Sequence, residues 1–467
     1  MVQTLRPHAG VGLARAMATG MALVLVISVA CTGGSSPSAT PAASTPAATA
    51  SPSVTPAPTP TQPEPSPTIG LLLADVARAT ADPADATTAA SAIDAFGLDL
   101  LRATAGAQAT TNVVISPASI ALALSMARLG ARGPTADQMD AVLHGLVAAG
   151  EVGPIDALDQ ALAARNGTFE DQQGNAHQVV LRIANAPFGQ RDLAIEAAYL
   201  DALARGFGAG LRTVDFKADP EAARSLINGW VADQTEQRIQ QLLVQGNITA
   251  ATRLVLVNAI YLKAPWLASF PEEETRPATF TLGDGTKIQV PTMLRVGSMS
   301  YAAGSGWQAV ELPYIGNQLA MMIVVPDDLA AFTASLSPER LAATVSALES
   351  RPVTLSLPKF SFASKQDLAT VLAQLGMPLA FSFQADFSGI TTQERLNITT
   401  VIHEANIDVD EKGTEAAAAT AVVMGDVSGP GGEPVTVHVD RPFLFAIRDL
   451  QTGAVVFLGQ VLDPSAH

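Results

Sequence analysis

Residues 410–425 read DEKGTEAAAATAVVMG, an acidic, glycine-broken entry followed by a run of small side chains. Side chains alternate faces along a strand. From Thr414 one face carries Thr414, Ala416, Ala418, Thr420, Val422 and Met424. The other carries Glu415, Ala417, Ala419, Ala421, Val423 and Gly425. The first face is small and apolar enough to slide between existing strands and meet a core. The second places its only charge, Glu415, outward. Gly413 gives the backbone freedom at the entry. No proline lies between residues 410 and 429, so every residue there can donate to a sheet ladder. Alanine is also the best helix former and a poor strand former, so composition alone favours a helix.

Working outward, helical periodicity covers residues 87–105, 116–129, 136–149, 155–165 and 222–243. In the second of these, Ser116 caps the start and Pro117 occupies the first helical position. Residues 253–262, RLVLVNAIYL, form a nearly unbroken apolar run, as in a strand buried on both faces. Further strands are expected over 278–282, 288–294, 309–312, 319–325, 353–362, 396–410, 435–447 and 455–461, with a helix over 367–375. Helices come mostly first and strands mostly later, which points to α+β.

The N-terminus is different. Arg6 and Arg15 precede an apolar run ending at small residues and Cys31, the layout of a secretory signal over residues 1–30. The tetrapeptide Ser28-Val29-Ala30-Cys31 resembles a bacterial lipoprotein cleavage site, in which Cys31 would carry the lipid. Such sites usually have leucine where Ser28 stands, and an ordinary signal peptide or an unmodified thiol is the alternative. Cys31 is the single cysteine, so no disulfide supports the chain. Residues 31–68 are a Pro/Ala/Ser/Thr-rich segment with one charge, Glu64. It cannot bury a core and reads as an extended stalk of roughly 110 Å at most. A globular domain is expected over residues 69–467.

Five pieces carry a family resemblance, in order: residues 112–139, NVVISPASIALALSMARLGARGPTADQM; 252–270, TRLVLVNAIYLKAPWLASF; 311–326, ELPYIGNQLAMMIVVP; 401–420, VIHEANIDVDEKGTEAAAAT; and 437–447, VHVDRPFLFAI. From residue 89 onward the chain resembles the serpins. The resemblance implies an α+β fold of three β-sheets with eight to nine helices and an exposed reactive-centre loop. It implies suicide inhibition of a serine protease, or a cysteine protease, by a monomer that needs no cofactor. The segment Glu411, Gly413, Thr414, Glu415, Ala416, Ala417, Ala418 and Ala419 matches the loop's hinge, which enters the main sheet as a new strand after cleavage. Non-inhibitory relatives often carry bulky, charged or proline residues in the alanine run; residues 416–420 carry none. A non-inhibitory binding protein or plain protease substrate is the alternative.

Counting forward from Glu411 by the family spacing puts the reactive bond between Val427 and Ser428. Counting back from Pro442 lands near Gly431, because the loop is longer than the common pattern. Val427 suits an elastase-like or subtilisin-like protease; Asp426 and Met424 are other candidates for the residue before the bond. Ser116, Ser119, Asn258 and His403 match the family's polar cluster beneath the centre of the main sheet. Lys359 and Glu411 match its ion pair at the top of that sheet, near Trp266.

Other classes fit poorly. The chain has 27 basic and 43 acidic residues, a formal charge of −16, which repels nucleic acid and other polyanions. Residues 136–167, where some relatives carry a basic helix, contain only Arg165 as a lysine or arginine. No Gly-x-Ser-x-Gly elbow supports a catalytic triad, and no His or Cys pairs have metal-ligand spacing. No catalytic residue and no metal are expected. A membrane partner enters only through an N-terminal lipid, on a protein placed outside the cell or at its envelope.

Overall fold

The computed structural model describes residues 67–107, 110–171, 173–415 and 434–466. The chain begins with β1 (Gly70–Leu72), α1 (Pro83–Ala107), β2 (Val113–Ile115), α2 (Pro117–Arg128), α3 (Gly133–Val142) and α4 (Gly153–Ala163). Next come β3 (Gly167–Glu170), β4 (Ala176–Gln190), α5 (Ala197–Phe207), β5 (Leu211–Val214), α6 (Pro220–Gln234) and β6 (Leu254–Pro265). Then follow β7 (Arg276–Thr281), β8 (Lys287–Gly304), β9 (Trp307–Pro313), β10 (Leu319–Pro326), α7 (Leu329–Ala334) and α8 (Pro338–Ser346). The chain continues through β11 (Glu349–Pro358), β12 (Phe360–Asp367), α9 (Ala369–Leu375), β13 (Val401–Val409) and β14 (Gly413–Thr414). It closes with β15 (Val435–His438), β16 (Phe443–Asp449) and β17 (Val455–Val461). The fold is α+β, with nine α-helices among the described residues.

The main sheet runs β1-β5-β4-β6-β14-β13-β12, with β3 paired to β4. The second ladder runs β15-β11-β8-β9-β10-β16-β17-β2, with β7 on β8. The expected third sheet is continuous with the second through β8. That strand pairs with β7 over residues 287–292 and with β9 over residues 300–304.

α2 is the pivot of the core. All twelve of its residues are buried, and Ser116 caps it by accepting from the Ser119 N–H. A helix buried all round carries no polar stripe, which explains its run of Ala, Leu, Ile and Ser. The larger apolar core unites α1, α2 and the facing strands. A smaller one lies under α6, where Ile227, Val231, Ile239, Leu242 and Leu243 meet Phe188, Val255, Val257 and Ile402.

Several expected boundaries move. The helix expected over 222–243 stops at Gln234, because Glu236 and Gln237 take left-handed φ of 49° and 66°. The apolar spacing continues beyond because the non-helical tail buries Ile239, Leu242 and Leu243 in the same small core. The helix expected over 136–149 ends at Val142, where His144 and Gly145 turn the chain with φ of 51° and 76°. The single strand expected over 353–362 is two strands in different sheets, β11 and β12, joined at Lys359. The strand expected over 435–447 is broken between β15 and β16, where Arg441-Pro442 interrupts the ladder.

Candidate functional site: the seam between β6 and β13

β6 and β13 pair in parallel from Val401↔Leu256 to Ala405↔Ile260. Above that rung they part, and β14 sits between them, with Gly413 opposite Pro265, Thr414 opposite Ala264 and Val409 opposite Thr414. Two hinge residues are therefore already strand residues in the main sheet.

A tight turn delivers them. The Asp410 carboxylate accepts from the Lys412 and Gly413 N–H groups at 2.8 and 3.2 Å, and the Asp410 N–H donates to the Gly413 carbonyl at 3.1 Å. Trp266 fixes the turn from β6's end: its backbone N–H donates to Lys412 O at 2.8 Å and its indole Nε1 to Asp410 O at 2.9 Å. Its ring stacks on Tyr314 at 4.6 Å, and the Tyr314 hydroxyl meets Thr414 Oγ1 at 2.6 Å. Glu411 is held by Lys359 Nζ at 2.8 Å and by Thr275 Oγ1 at 2.7 Å. Burial pushes its carboxyl up, but the Lys359 and Thr275 hydrogen bonds outweigh it and hold the group below its ordinary range. The structure thus pairs Lys359 with Glu411, and Trp266 binds the same turn through Asp410 and Lys412.

Gly413 is required by space as well as by torsion. Its φ is 156°, and a Cβ there would lie 2.3 Å from Ala264 O and 2.7 Å from Pro265 Cα. Thr414 faces the core and is buried. Glu415 lies on the other face, as alternation requires, but not in open solvent as expected. Its side chain is only 9% exposed and pairs with Arg238. The tail after α6, which carries Arg238, covers that face. Ala416, Ala417, Ala418, Ala419, Val427, Ser428 and Cys31 lie outside the described residues.

Lower on the same seam sits the polar cluster. His403 and Asn258 are directly opposite each other across β13 and β6. His403 Nε2 accepts from the Ser116 N–H at 3.1 Å. Its proton is therefore assigned to Nδ1, which donates to Asn258 Oδ1 at 2.5 Å. Asn258 Nδ2 donates to Ser119 Oγ at 2.7 Å and to Asn185 Oδ1 at 2.8 Å. Asn185 Nδ2 returns to Ser119 O at 2.9 Å. Burial drives the His403 pKa down to about 3, so the ring is neutral. The structure thus brings together all four expected residues. It adds Asn185, opposite Asn258 on β4, whose only sequence signal is one asparagine inside the apolar run VVLRIANAPF. Tyr314 and Arg238 were also missed; each belongs to a segment far from the hinge in sequence.

No group here is a nucleophile with an adjacent base. His403 gives both ring nitrogens to structural partners and is buried with Ser116, Ser119 and Asn258, while Asn185 is half-buried. What the arrangement offers is a two-strand seam that is open above, occupied for two residues, and bridged below by hydrogen bonds that strand separation would break.

Comparison with known proteins agrees with this geometry. A family model described as serpin (serine protease inhibitor) matches residues 91–464. An uncharacterized serpin-like protein of Thermococcus kodakarensis is 36% identical over 378 residues, 80% of this chain and 85% of that protein. Serpin B3 of Homo sapiens is 35% identical over 376 residues, covering 76% and 94% of the two chains. Leukocyte elastase inhibitor of Equus caballus is 35% identical over 382 residues, covering 79% and 97%. With Gly413 and Thr414 paired between β6 and β13 and a family model spanning nearly the whole described fold, the chain belongs to the serpin family and is not an enzyme.

Proposed function

We propose that this protein inhibits a serine protease as a suicide substrate. The observation that carries the reading is the position of Gly413 and Thr414 as a strand already begun between β6 and β13. A protease attacking the loop forms an acyl-enzyme. The freed hinge then continues the strand that β14 starts, pulling the bound protease with it before water releases it. The inhibitor supplies a stored free-energy difference between two packings and no catalytic group. The names of relatives, among them an elastase inhibitor and a plasminogen activator inhibitor, support a protease partner.

In the finer reading the bond cut is Val427–Ser428 and the target is elastase-like or subtilisin-like, since a valine suits a modest apolar pocket. The protein acts as a monomer, exported by residues 1–30, held by a lipid on Cys31 and spaced from the membrane by residues 31–68. Incubation with elastase and subtilisin, followed by denaturing electrophoresis, tests the inhibitory reading. A complex that survives denaturant is expected. Cleavage products alone, with no gain in thermal stability after loop cleavage, would mean a non-inhibitory protein. Sequencing the fragment released from the complex checks the bond, and radiolabelled lipid incorporation lost in Cys31→Ser checks the anchor.

A further inference from the structure

Glu415 follows Thr414, the last residue of β14, and its backbone is unusual. Glu415 has a left-handed φ of 53°, a conformation that β-carbon-bearing residues rarely adopt. Its N–H still donates to Asp408 O at 2.9 Å. Its side chain turns into a cavity of about 10 Å³ lined by Arg238, Ile260, Tyr261, Leu262, Asn406 and Asp408. Arg238 pairs with one carboxylate oxygen. The other, Oε2, is buried with no hydrogen-bond partner, and so is Asn406 Oδ1 on the same cavity. Two buried acceptors therefore share one small space, in which Arg238 is already given to Oε1 and the Tyr261 hydroxyl lies 3.2 Å from Glu236 Oε2. One proton on Glu415 changes that: the neutral carboxyl is a donor, and Asn406 Oδ1 is an acceptor lining the same cavity.

We propose that Glu415 is a proton-operated latch on the hinge, whose neutral form favours residues 413–415 seated between β6 and β13 and whose charged form favours their release. The inference rests on the reading of residues 410–415 as the hinge of an inserting loop, and it adds a control on that step. Every titratable neighbour is accounted for. Arg238 and Glu236 come from the tail after α6, Tyr261 from β6 and Asp408 from β13; Glu236 is itself paired with Arg182 on β4. Burial raises the Glu415 pKa; the Arg238 charge and the Tyr261 hydrogen bond oppose this, and Asp408 and Glu236 add to it. Tyr261 is held well above its ordinary range, chiefly by burial, and stays protonated.

The sign follows from linkage. Seated, Glu415 binds its proton more tightly than it does when released into water. The bias toward the seated hinge is full below the released value and is lost as pH rises through the raised, seated value. Each unit between the two values is worth about tenfold in the seated-to-released ratio.

Hydrogen exchange of the Glu415 amide on the intact protein reads this directly, between pH 4.5 and 8, after normalisation to the intrinsic exchange rate at each pH. Protection is expected to fall as pH rises. Glu415→Gln, isosteric and always neutral, is expected to stay protected throughout. Arg238→Ala is expected to lose protection at pH 8 and to move the midpoint upward. A flat profile in the unmodified protein overturns the latch, and so does a slope that persists in Glu415→Gln. A slope that vanishes in Glu236→Gln or Asp408→Asn but not in Glu415→Gln overturns it too, by assigning the proton elsewhere. No protease is used, so the two readings fail separately. A pH slope without any denaturant-stable complex removes inhibition and leaves the latch. A complex with a flat profile removes the latch and leaves inhibition.

Discussion

Two seams of this molecule look alike in sequence and are built for opposite ends. The β10–β16 seam in the second sheet is an antiparallel ladder from Leu319↔Asp449 to Val324↔Leu444, unbroken over six residues. Its inward side chains, among them Met321, Ile323, Phe445 and Ile447, are fully buried and apolar. The β6–β13 seam is parallel, is paired over only five residues and carries an asparagine and a histidine at its centre. Apolar contact is lost outright when strands part, whereas a hydrogen-bond network can be remade around a new strand. On the proposed function, the second sheet is the fixed frame and the main sheet is the part that rearranges.

The comparison breaks most visibly in the frame. Phe445 is buried and packs against Phe360 at a centroid distance of 5.6 Å. Phe445→Ala is expected to lower unfolding stability by about 3–5 kcal/mol through lost burial and a residual cavity. The fraction of encounters ending in a stable protease complex should change little, because Phe445 meets the main sheet through Phe360 on its edge strand β12, one strand away from the seam. Denaturant unfolding and complex stoichiometry, measured on the same preparation, check both halves of this statement. A changed stoichiometry would mean that the two sheets are not mechanically separate.

At the partible seam the expected loss is smaller and differently distributed. Asn258→Ala leaves the His403 Nδ1–H, Ser119 Oγ and Asn185 Oδ1 each short of a partner. A cost of about 1–3 kcal/mol follows from the buried polar groups left unsatisfied. The loss should be concentrated in hydrogen exchange of β6 and β13, with β10 and β16 protected as before.

The same cluster predicts a pH dependence of its own. The His403 pKa is depressed to about 3 by burial, from an ordinary 6.5. The unfolded chain takes up a proton that the folded one refuses. Stability from this group is therefore full above pH 6.5 and falls as pH is lowered toward 3. The slope is roughly 1 kcal/mol per pH unit over that window. Asp94, raised to about 7 by burial, titrates in the same window with the opposite sign, so the His403 contribution is read as the difference between the urea midpoints of the unmodified protein and of His403→Gln. A slope that survives unchanged in His403→Gln would assign it to another group.

Much of this was legible in the chain, and the reason is local. The Ser116-Pro117 cap and the apolar run of β6 are each written within a few residues, and each lies where it was expected; of the alternation after Thr414 only Glu415 falls among the described residues. The ion pair and the polar cluster came from matching motifs. Their partners Asn185, Tyr314 and Arg238 did not, because nothing near those residues in sequence marks their place at the seam. The switch of sheet at Lys359 was hidden for a similar reason. An apolar run reads the same whether it stays in one sheet or crosses to the next. Glu415 was misread as solvent-facing because alternation fixes which face a side chain takes, but not what lies over that face.

The smallest expected effect tests what holds the top of the partible seam. The Lys359–Glu411 pair is short, yet Lys359 is 38% exposed, and an ion pair so open to water contributes at most about 1 kcal/mol. Charge is thus a weak tie here. The turn at residues 410–412 is held by backbone bonds from Trp266 and Phe270 and by the Trp266 indole, none of which depends on Lys359. A double-mutant cycle with Lys359→Met and Glu411→Gln should give a coupling below about 1 kcal/mol. Trp266→Phe, which removes the indole donor and alters the stack on Tyr314, should cost more than either single change. A coupling well above that limit would mean that charge, not the indole and the turn, keeps the hinge end in place. The top of the seam would then weaken with salt, unlike the second sheet, whose ion pairs Arg165–Asp449 and Arg448–Glu311 are largely buried and little screened.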